Sequence, residues 1–201
     1  MSEKSKNLVI TSSDNPRFKM LRDCLTSGGI QEHHKALIFG RKVTREILSE
    51  RPGVVEALVL SEKSESEGLA VGSSVPQIVL KQALFAELDI FGSHSPFLVV
   101  KVHPFEKMDE NLLVGKRSLF LTLQEPSNLG AVLRSAAAFG ITDIILGEGC
   151  CHPFHPKSSR ASSGTVFQHQ FYKGPSMAQL KMTRVPTIAL DLNGENIQKF
   201  R

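Results

Sequence analysis

The residues best suited to chemistry lie in one stretch, residues 119–146, where a polar loop separates two apolar segments. Residues 118–123 are apolar enough to form a strand, and Pro126 must end it because proline cannot donate to a sheet ladder. A helix is expected from about Leu129 to Phe139, where Gly140 follows as a stop signal. The stretch therefore predicts a strand, a loop and a helix whose N-terminus faces an opening at the sheet edge.

Asn128 and Arg134 are the candidate functional side chains of this helix. Asn128 can cap its N-terminus, and Gly130 leaves room for a ligand to approach the first turn. Free backbone N–H groups and the helix dipole favour anions such as phosphate there. Helical side chains lean toward the N-terminus, so the Arg134 guanidinium can reach the space above Asn128. The two can converge on one ligand, although a plain helix cap and a solvated surface charge would show the same spacing.

A sheet must hold this helix in place. Short apolar runs alternate with helical patterns along the chain, which favours an α/β fold with a parallel or mixed sheet covered by helices. The first helix follows cap residues at 11–16 and is expected to stop at Gly28 and Gly29. Strands are predicted at 36–39, 54–60, 77–80, 97–102, 118–123, 143–146, 169–172 and 186–190.

Composition limits the protein class. The chain has 201 residues, 41% of them hydrophobic, without an apolar run that could span a bilayer, so a soluble cytoplasmic protein is expected. Its net charge of +4 hides basic ends around an acidic middle, which suits a polyanionic partner. Three cysteines, two of them adjacent, indicate a reducing compartment. Cys150–His155 contains two thiols and two imidazoles, but adjacent ligands would strain a tetrahedral site, so we expect a loop without metal.

The alternation of elements breaks once, between residues 104 and 117, where proline, glycine and charged residues accumulate. This break predicts a first domain over residues 1–106, a linker over residues 107–117 and a second domain over residues 118–201. The sequence shows no internal repeat at a fixed period.

Several segments together resemble one known family. Gln124–Gly130 and Arg134–Gly140 resemble the first signature motif of the SpoU (TrmH-like) branch of the SPOUT RNA methyltransferases, and residues 155–164 resemble the helix that follows its second strand. Residues 10–16 and 37–43 resemble the start of the family's N-terminal domain. The resemblance implies a small α/β/α RNA-binding domain followed by the first part of an α/β-knot methyltransferase domain, with the knot segment absent.

The resemblance also implies an activity and its residues. The family transfers a methyl group from S-adenosylmethionine to a ribose 2′-hydroxyl of ribosomal or transfer RNA. Asn128 and Arg134 then take the catalytic and RNA-positioning roles, with Arg134 either as general base or as an electrostatic partner of the ribose oxygen. A guanidinium is a poor base at neutral pH, which favours the second role. The expected RNA-binding residues are Arg17, Lys19, Arg41, Lys42, Lys157, Arg160 and Ser162.

The chain departs from the family in its last part, because the second and third signatures, which form most of the S-adenosylmethionine pocket, do not occur. Leu190, Asp191 and Gly194 are the remaining candidates for contact with the cofactor. We therefore expect residues 1–201 alone to be inactive and not to form the homodimer of the full-length family members. Two alternatives remain: a non-catalytic RNA- or ribosome-binding protein derived from this family, and a phosphate-binding α/β domain unrelated to RNA.

Overall fold

Two β-sheets, one in each half of the chain, carry the fold. The structure is a computed structural model that describes residues 7–63, 75–109, 111, 116–182, 184, 186–189, 193–196 and 199. The strands are β1 Leu8–Ile10, β2 Lys35–Ile38, β3 Val55–Ser61, β4 Gln77–Leu80, β5 Phe97–Lys101, β6 Glu106–Lys107, β7 Ser118–Leu121, β8 Asp143–Leu146 and β9 Gln170–Lys173. The α-helices are α1 Pro16–Asp23, α2 Ser27–His33, α3 Arg41–Glu50, α4 Gln82–Leu88, α5 Pro126–Ala138, α6 Pro156–Ala161 and α7 Met177–Leu180. Short 3₁₀ turns cover Pro52–Val54 and Thr165–Gln168.

The first sheet is mixed, with strand order β1-β4-β3-β5-β2. The pairs β1–β4 and β3–β4 are parallel, whereas β5 runs antiparallel to both β3 and β2. Its central strands are apolar and buried on both faces, as expected when helices cover both sides. Phe18 of α1 and Phe85 of α4 pack on one face, while Val43 and Ile47 of α3 pack on the other.

The second sheet is parallel in all its pairs, with strand order β6-β9-β8-β7. Helix α5 lies against it through Leu129 and Leu133, which are fully buried with Ile144 of β8. The short strand β6 includes Lys107, the first residue of the predicted linker. The chain is thus a mixed α/β protein in which a mixed sheet precedes a parallel one.

Aromatic side chains join the two halves. Phe154 and Phe167 from the second half, and Phe105 between the sheets, pack against the core clusters of both halves. The backbone N–H of His152 donates to Ser27 Oγ of α2 over 3.1 Å. The two halves therefore share a packed joint.

Two predicted features are wrong. Gly28 and Gly29 do not end the first helix but lie in the first turn of α2, where Thr26 Oγ1 accepts a hydrogen bond from the Gly29 N–H at 3.1 Å. A Cβ on Gly29 would lie 2.1 Å from the Asp23 carbonyl oxygen, so close packing of α1 on α2 requires this glycine.

The strand predicted at 186–190 is also not formed over its described residues, 186–189, which are exposed and irregular. Ile188 is 71% exposed. A strand requires a neighbour for its backbone groups, and these residues pair with none of the described strands. Separately, no helix in the described part of the chain combines the length and apolar character needed to cross a bilayer.

Candidate active site

The candidate site begins where β7 ends and α5 starts. Pro126 occupies the first helical position, which suits its fixed φ and missing N–H. Glu125 is consequently the N-cap, and its carboxylate accepts a hydrogen bond from the Asn128 N–H at 2.7 Å. The pKa of Glu125 lies below its usual value because its carboxylate accepts the backbone N–H groups of Asn128 and Ser127, with a smaller effect from Lys157. The prediction that Asn128 caps this helix is therefore wrong, because the helix already starts at Pro126 and Asn128 lies inside its first turn.

Asn128 and Arg134 are both exposed on α5. Six residues of helix separate their Cα atoms by about 9 Å along the axis. Arg134 forms no ion pair with any described residue. The structure thus leaves an exposed amide in the first turn and an exposed, uncompensated guanidinium two turns later.

Gly130 does not open this turn to a ligand, contrary to the prediction. A Cβ at this position would lie 2.3 Å from the Ser158 carbonyl oxygen and 2.7 Å from the Ala161 Cβ. Gly130 is buried because α6 packs directly on α5 at this point. Because glycine has no side chain, the two helices approach closely at this point, and α6 is held beside the start of α5.

Helix α6 and the residue directly after it include three of the predicted RNA-binding residues. Lys157 and Arg160 are exposed, and Arg160 places its guanidinium carbon 4.1 Å from the ring centroid of Phe91. Ser162, just past the helix end, is fully buried, and its Oγ donates to the Ser159 carbonyl at 2.9 Å. Ser162 therefore cannot face RNA in this structure, because its hydroxyl closes the end of α6.

The remaining predicted RNA-binding residues lie on the first half of the chain. Arg17 and Lys19 are exposed on α1, and Lys19 pairs with Asp14 at 3.2 Å. Arg41 and Lys42 are exposed at the start of α3, on the opposite face of the sheet. The structure therefore does not gather these four cations into one cluster.

The loop after β8 belongs to the joint between the halves. His152 is buried, stacks on Phe105 with ring centroids 5.0 Å apart, and accepts the Phe154 N–H at Nδ1. Burial, with the charge of nearby His155, lowers the pKa of His152 to about 4. The pKa of His155 is lowered as well, first by burial and then by Lys157. No three His, Cys, Asp or Glu side chains converge on a metal position within the described ranges.

The predicted cofactor residues are only partly covered. Leu190 and Asp191 lie outside the described residues, and Gly194 is exposed in a bend. Two cavities in the described part of the chain lie away from Gly194, one between α3 and residues 163–168 and one beneath β1 and β4. Neither of these cavities is lined by Asn128, Arg134 or Gly194.

Two residues of this region were not predicted from the sequence. Glu125 is a rare N-cap type, and only its place before Pro126 could have indicated the role. Phe91 lies far from α6 in the sequence, and no local pattern connects it with Arg160.

The amino-acid sequence of this chain is similar to those of known RNA methyltransferases. Ribosomal RNA small subunit methyltransferase G 2 of Syntrophobacter fumaroxidans is 37% identical over 194 residues, which are 94% of this chain and 38% of that protein. The 23S rRNA (guanosine(2553)-2'-O)-methyltransferase RlmP of Bacillus subtilis is 28% identical over 160 residues, 79% of this chain and 62% of that protein. The chain thus spans less than two thirds of the length of these curated relatives.

A solved structure shares the fold. The AdoMet-bound rRNA methyltransferase from Sinorhizobium meliloti superposes with a TM-score of 0.64 at 19% identity, covering 87% of this chain and 67% of that one. The model of the SpoU rRNA Methylase family matches residues 119–201. This match includes most of β7, the capped start of α5, Arg134 and α6; it leaves out residues 10–16 and 37–43, which also carry the resemblance. The resemblance is thereby confirmed for residues 119–201, which match the SpoU rRNA Methylase family.

Proposed function

We propose that the protein methylates a ribose 2′-hydroxyl of ribosomal or transfer RNA, with S-adenosylmethionine as the methyl donor. The SpoU rRNA Methylase match over residues 119–201 supports this reaction, as does the Bacillus subtilis relative, whose name specifies 2′-O-methylation of 23S rRNA. The observation that carries the proposal is Arg134, an exposed cation without an ion-pair partner among the described residues. It lies on the helix that starts beyond the carboxyl end of a parallel strand, where ligands bind in open α/β sheets.

The two halves of the chain have different roles in the proposed reaction. Residues 1–106 bind the RNA substrate, residues 107–117 connect the halves, and residues 118–201 form the first part of the family's α/β-knot methyltransferase domain, which carries Asn128 and Arg134. The packed joint at Phe105, Phe154 and Phe167 supports a fixed placement of bound RNA relative to α5.

Arg134 acts on the RNA side of the reaction. S-adenosylmethionine would supply an activated methyl group, so the protein must hold the ribose oxygen in line with that methyl group while the hydroxyl proton passes to water. A guanidinium stays protonated at neutral pH, and Arg134 therefore stabilises the developing negative charge on that oxygen together with the adjacent phosphate. Asn128, exposed at the first turn, positions the ribose through its amide.

The test is Arg134→Ala in the full-length protein, measured by transfer of a labelled methyl group to ribosomal RNA. Loss of one preorganised electrostatic group should lower the rate by roughly 100- to 1,000-fold. Cofactor affinity, followed by calorimetry, should stay near the original value because Arg134 is proposed to face the RNA. Arg51→Ala is the matched control, because Arg51 is an exposed arginine directly after the C-terminal end of α3.

Retention of methyl transfer in Arg134→Ala would contradict the catalytic role, and loss of cofactor binding would instead make Arg134 a cofactor ligand. One rival function has an observation in its favour: the cavity beside α3 and the cavity beneath β1 and β4 both lie away from Asn128 and Arg134. A non-catalytic RNA-binding protein would bind ribosomal RNA but transfer no methyl group in the full-length form. The same assay distinguishes the two functions.

A further inference from the structure

A cation–π contact connects the two halves of the chain at one exposed point. The Arg160 guanidinium of α6 lies over the Phe91 ring, 4.1 Å from its centroid. Phe91 belongs to the loop between α4 and β5 in the first half, whereas Arg160 belongs to the family-matched segment. The contact thus connects the proposed RNA-binding half with the helix that packs against the proposed catalytic helix.

The first half holds Phe91 firmly. Its ring packs edge-on against Phe39, with centroids 5.3 Å apart, and so adjoins the core of the mixed sheet. The loop itself is tied by the buried Asp89, whose carboxylate accepts the His94 N–H at 2.6 Å and the Ser93 hydroxyl at 3.2 Å. Phe91 therefore presents a preformed surface to Arg160.

The second half holds the backbone of Arg160 equally firmly, because α6 packs on Gly130 of α5. The stacked guanidinium has five N–H donors, and no described residue accepts a hydrogen bond from them. Arg160 is exposed on the solvent side of α6, opposite the buried Ser158 and Ser159. Its position is fixed by the protein while its donors remain available to a ligand.

Lys157 extends this surface toward the catalytic helix. Residues three apart in a helix share a face, so Lys157 and Arg160 form one exposed basic strip on α6. Lys157 lies close enough to Glu125 to contribute to the lowered pKa of that carboxyl. The strip therefore runs from the Phe91 loop to the start of α5, where Asn128 is exposed.

We propose that Arg160, held in place by Phe91, binds a phosphate of the RNA strand that leads from the first half to the catalytic helix. This inference rests on the proposed function and adds Phe91 as a positioning residue. A guanidinium binds phosphate through two parallel hydrogen bonds, and a stacked guanidinium loses little freedom when it does so. An acidic peptide is the rival partner, and the experiment below includes it.

The experiment measures binding of the chain to deproteinised small-subunit and large-subunit ribosomal RNA over a range of salt concentrations. Phe91→Leu should weaken binding about two- to fivefold, the amount expected for an exposed cation–π contact. Arg160→Ala should weaken binding further and lower the salt slope by about one. In the Arg160→Ala background, Phe91→Leu should have no further effect, because the ring acts through the guanidinium.

Two variants keep the test independent of folding. Phe91→Tyr retains the aromatic ring beneath Arg160 and should therefore bind RNA as the original chain does. Phe139→Leu, at a phenylalanine that is 76% exposed, is the matched control and should leave RNA binding unchanged. Thermal unfolding of each variant is compared with the original chain.

Each outcome has a distinct meaning. Absence of RNA binding by the original chain would overturn the proposed RNA-binding role of residues 1–106. Equal RNA affinity of the original chain and Phe91→Leu would overturn only the positioning role. The same conclusion would follow if Phe91→Leu weakened RNA binding equally in the original chain and in the Arg160→Ala background. Polyglutamate that competes as strongly as RNA would assign the site to an acidic protein partner instead.

Discussion

At the scale of single residues, His152 connects protonation with folding. Burial lowers its pKa from 6.5 to about 4, so the folded state favours the neutral ring. The unfolded chain binds the proton first as the pH falls, and stability should therefore decrease between pH 6.5 and pH 4. The full effect of this one group is roughly 3 kcal/mol.

The measurement is urea unfolding at several pH values in the original chain and in His152→Asn. An asparagine oxygen can accept the Phe154 N–H, as Nδ1 of His152 does, without titrating. The variant should be less stable at pH 7 because it loses the stack on Phe105, but its stability should fall less steeply below pH 6.5. Identical slopes in the two chains would show that His152 does not control this transition.

At the scale of elements, the contact between α5 and α6 depends on Gly130. In Gly130→Ala the new methyl group would lie 2.3 Å from the Ser158 carbonyl oxygen, a backbone atom that can move only with α6. We expect a loss of roughly 1–3 kcal/mol in the free energy of unfolding. Displacement of α6 should also weaken RNA binding, because α6 carries Lys157 and Arg160.

Gly28→Ala is the matched control, since a Cβ on Gly28 would have no heavy atom within 4 Å. It should leave stability unchanged or raise it by about 0.4–1 kcal/mol through the unfolded state. Urea unfolding of the two variants in parallel gives the free energies of unfolding to be compared. A Gly130→Ala chain as stable as Gly28→Ala would mean that the helices separate at little cost.

At the scale of the whole molecule, RNA binding is expected to depend strongly on salt. Arg41 and Lys42 begin α3, and the exposed Lys42–Glu46 pair, 3.7 Å apart, should contribute little stability. Reversing both charges should weaken binding to every RNA tested and lower the salt slope by about two, because phosphate contacts carry no sequence information.

The control for this prediction is Arg51→Glu with Lys63→Glu, two exposed cations that are not among the proposed RNA contacts. Binding isotherms at several salt concentrations give the slopes. A loss restricted to one RNA would indicate base contacts instead, and an unchanged slope would remove Arg41 and Lys42 from the interface.

The amino-acid sequence by itself determined the α/β class, the order of most helices and strands, and the resemblance to the family, but it did not indicate β1, α2 or β6. These depend on short-range patterns: apolar runs, prolines and the motif around Asn128 and Arg134. The exceptions show where such patterns fail. Pro126 starts α5 earlier than its apolar spacing indicates, and the apolar residues at 186–189 remain exposed because no described strand pairs with them.

The tertiary structure alone decided what the glycines, serines and arginines of the site do. Gly130 packs against Ser158, Ser162 is buried, and Arg160 stacks on Phe91. Each of these roles depends on a contact with, or burial by, residues of another element. Local sequence specifies which backbone conformation a residue adopts, but only packing determines whether its side chain meets solvent, a helix backbone or an aromatic ring.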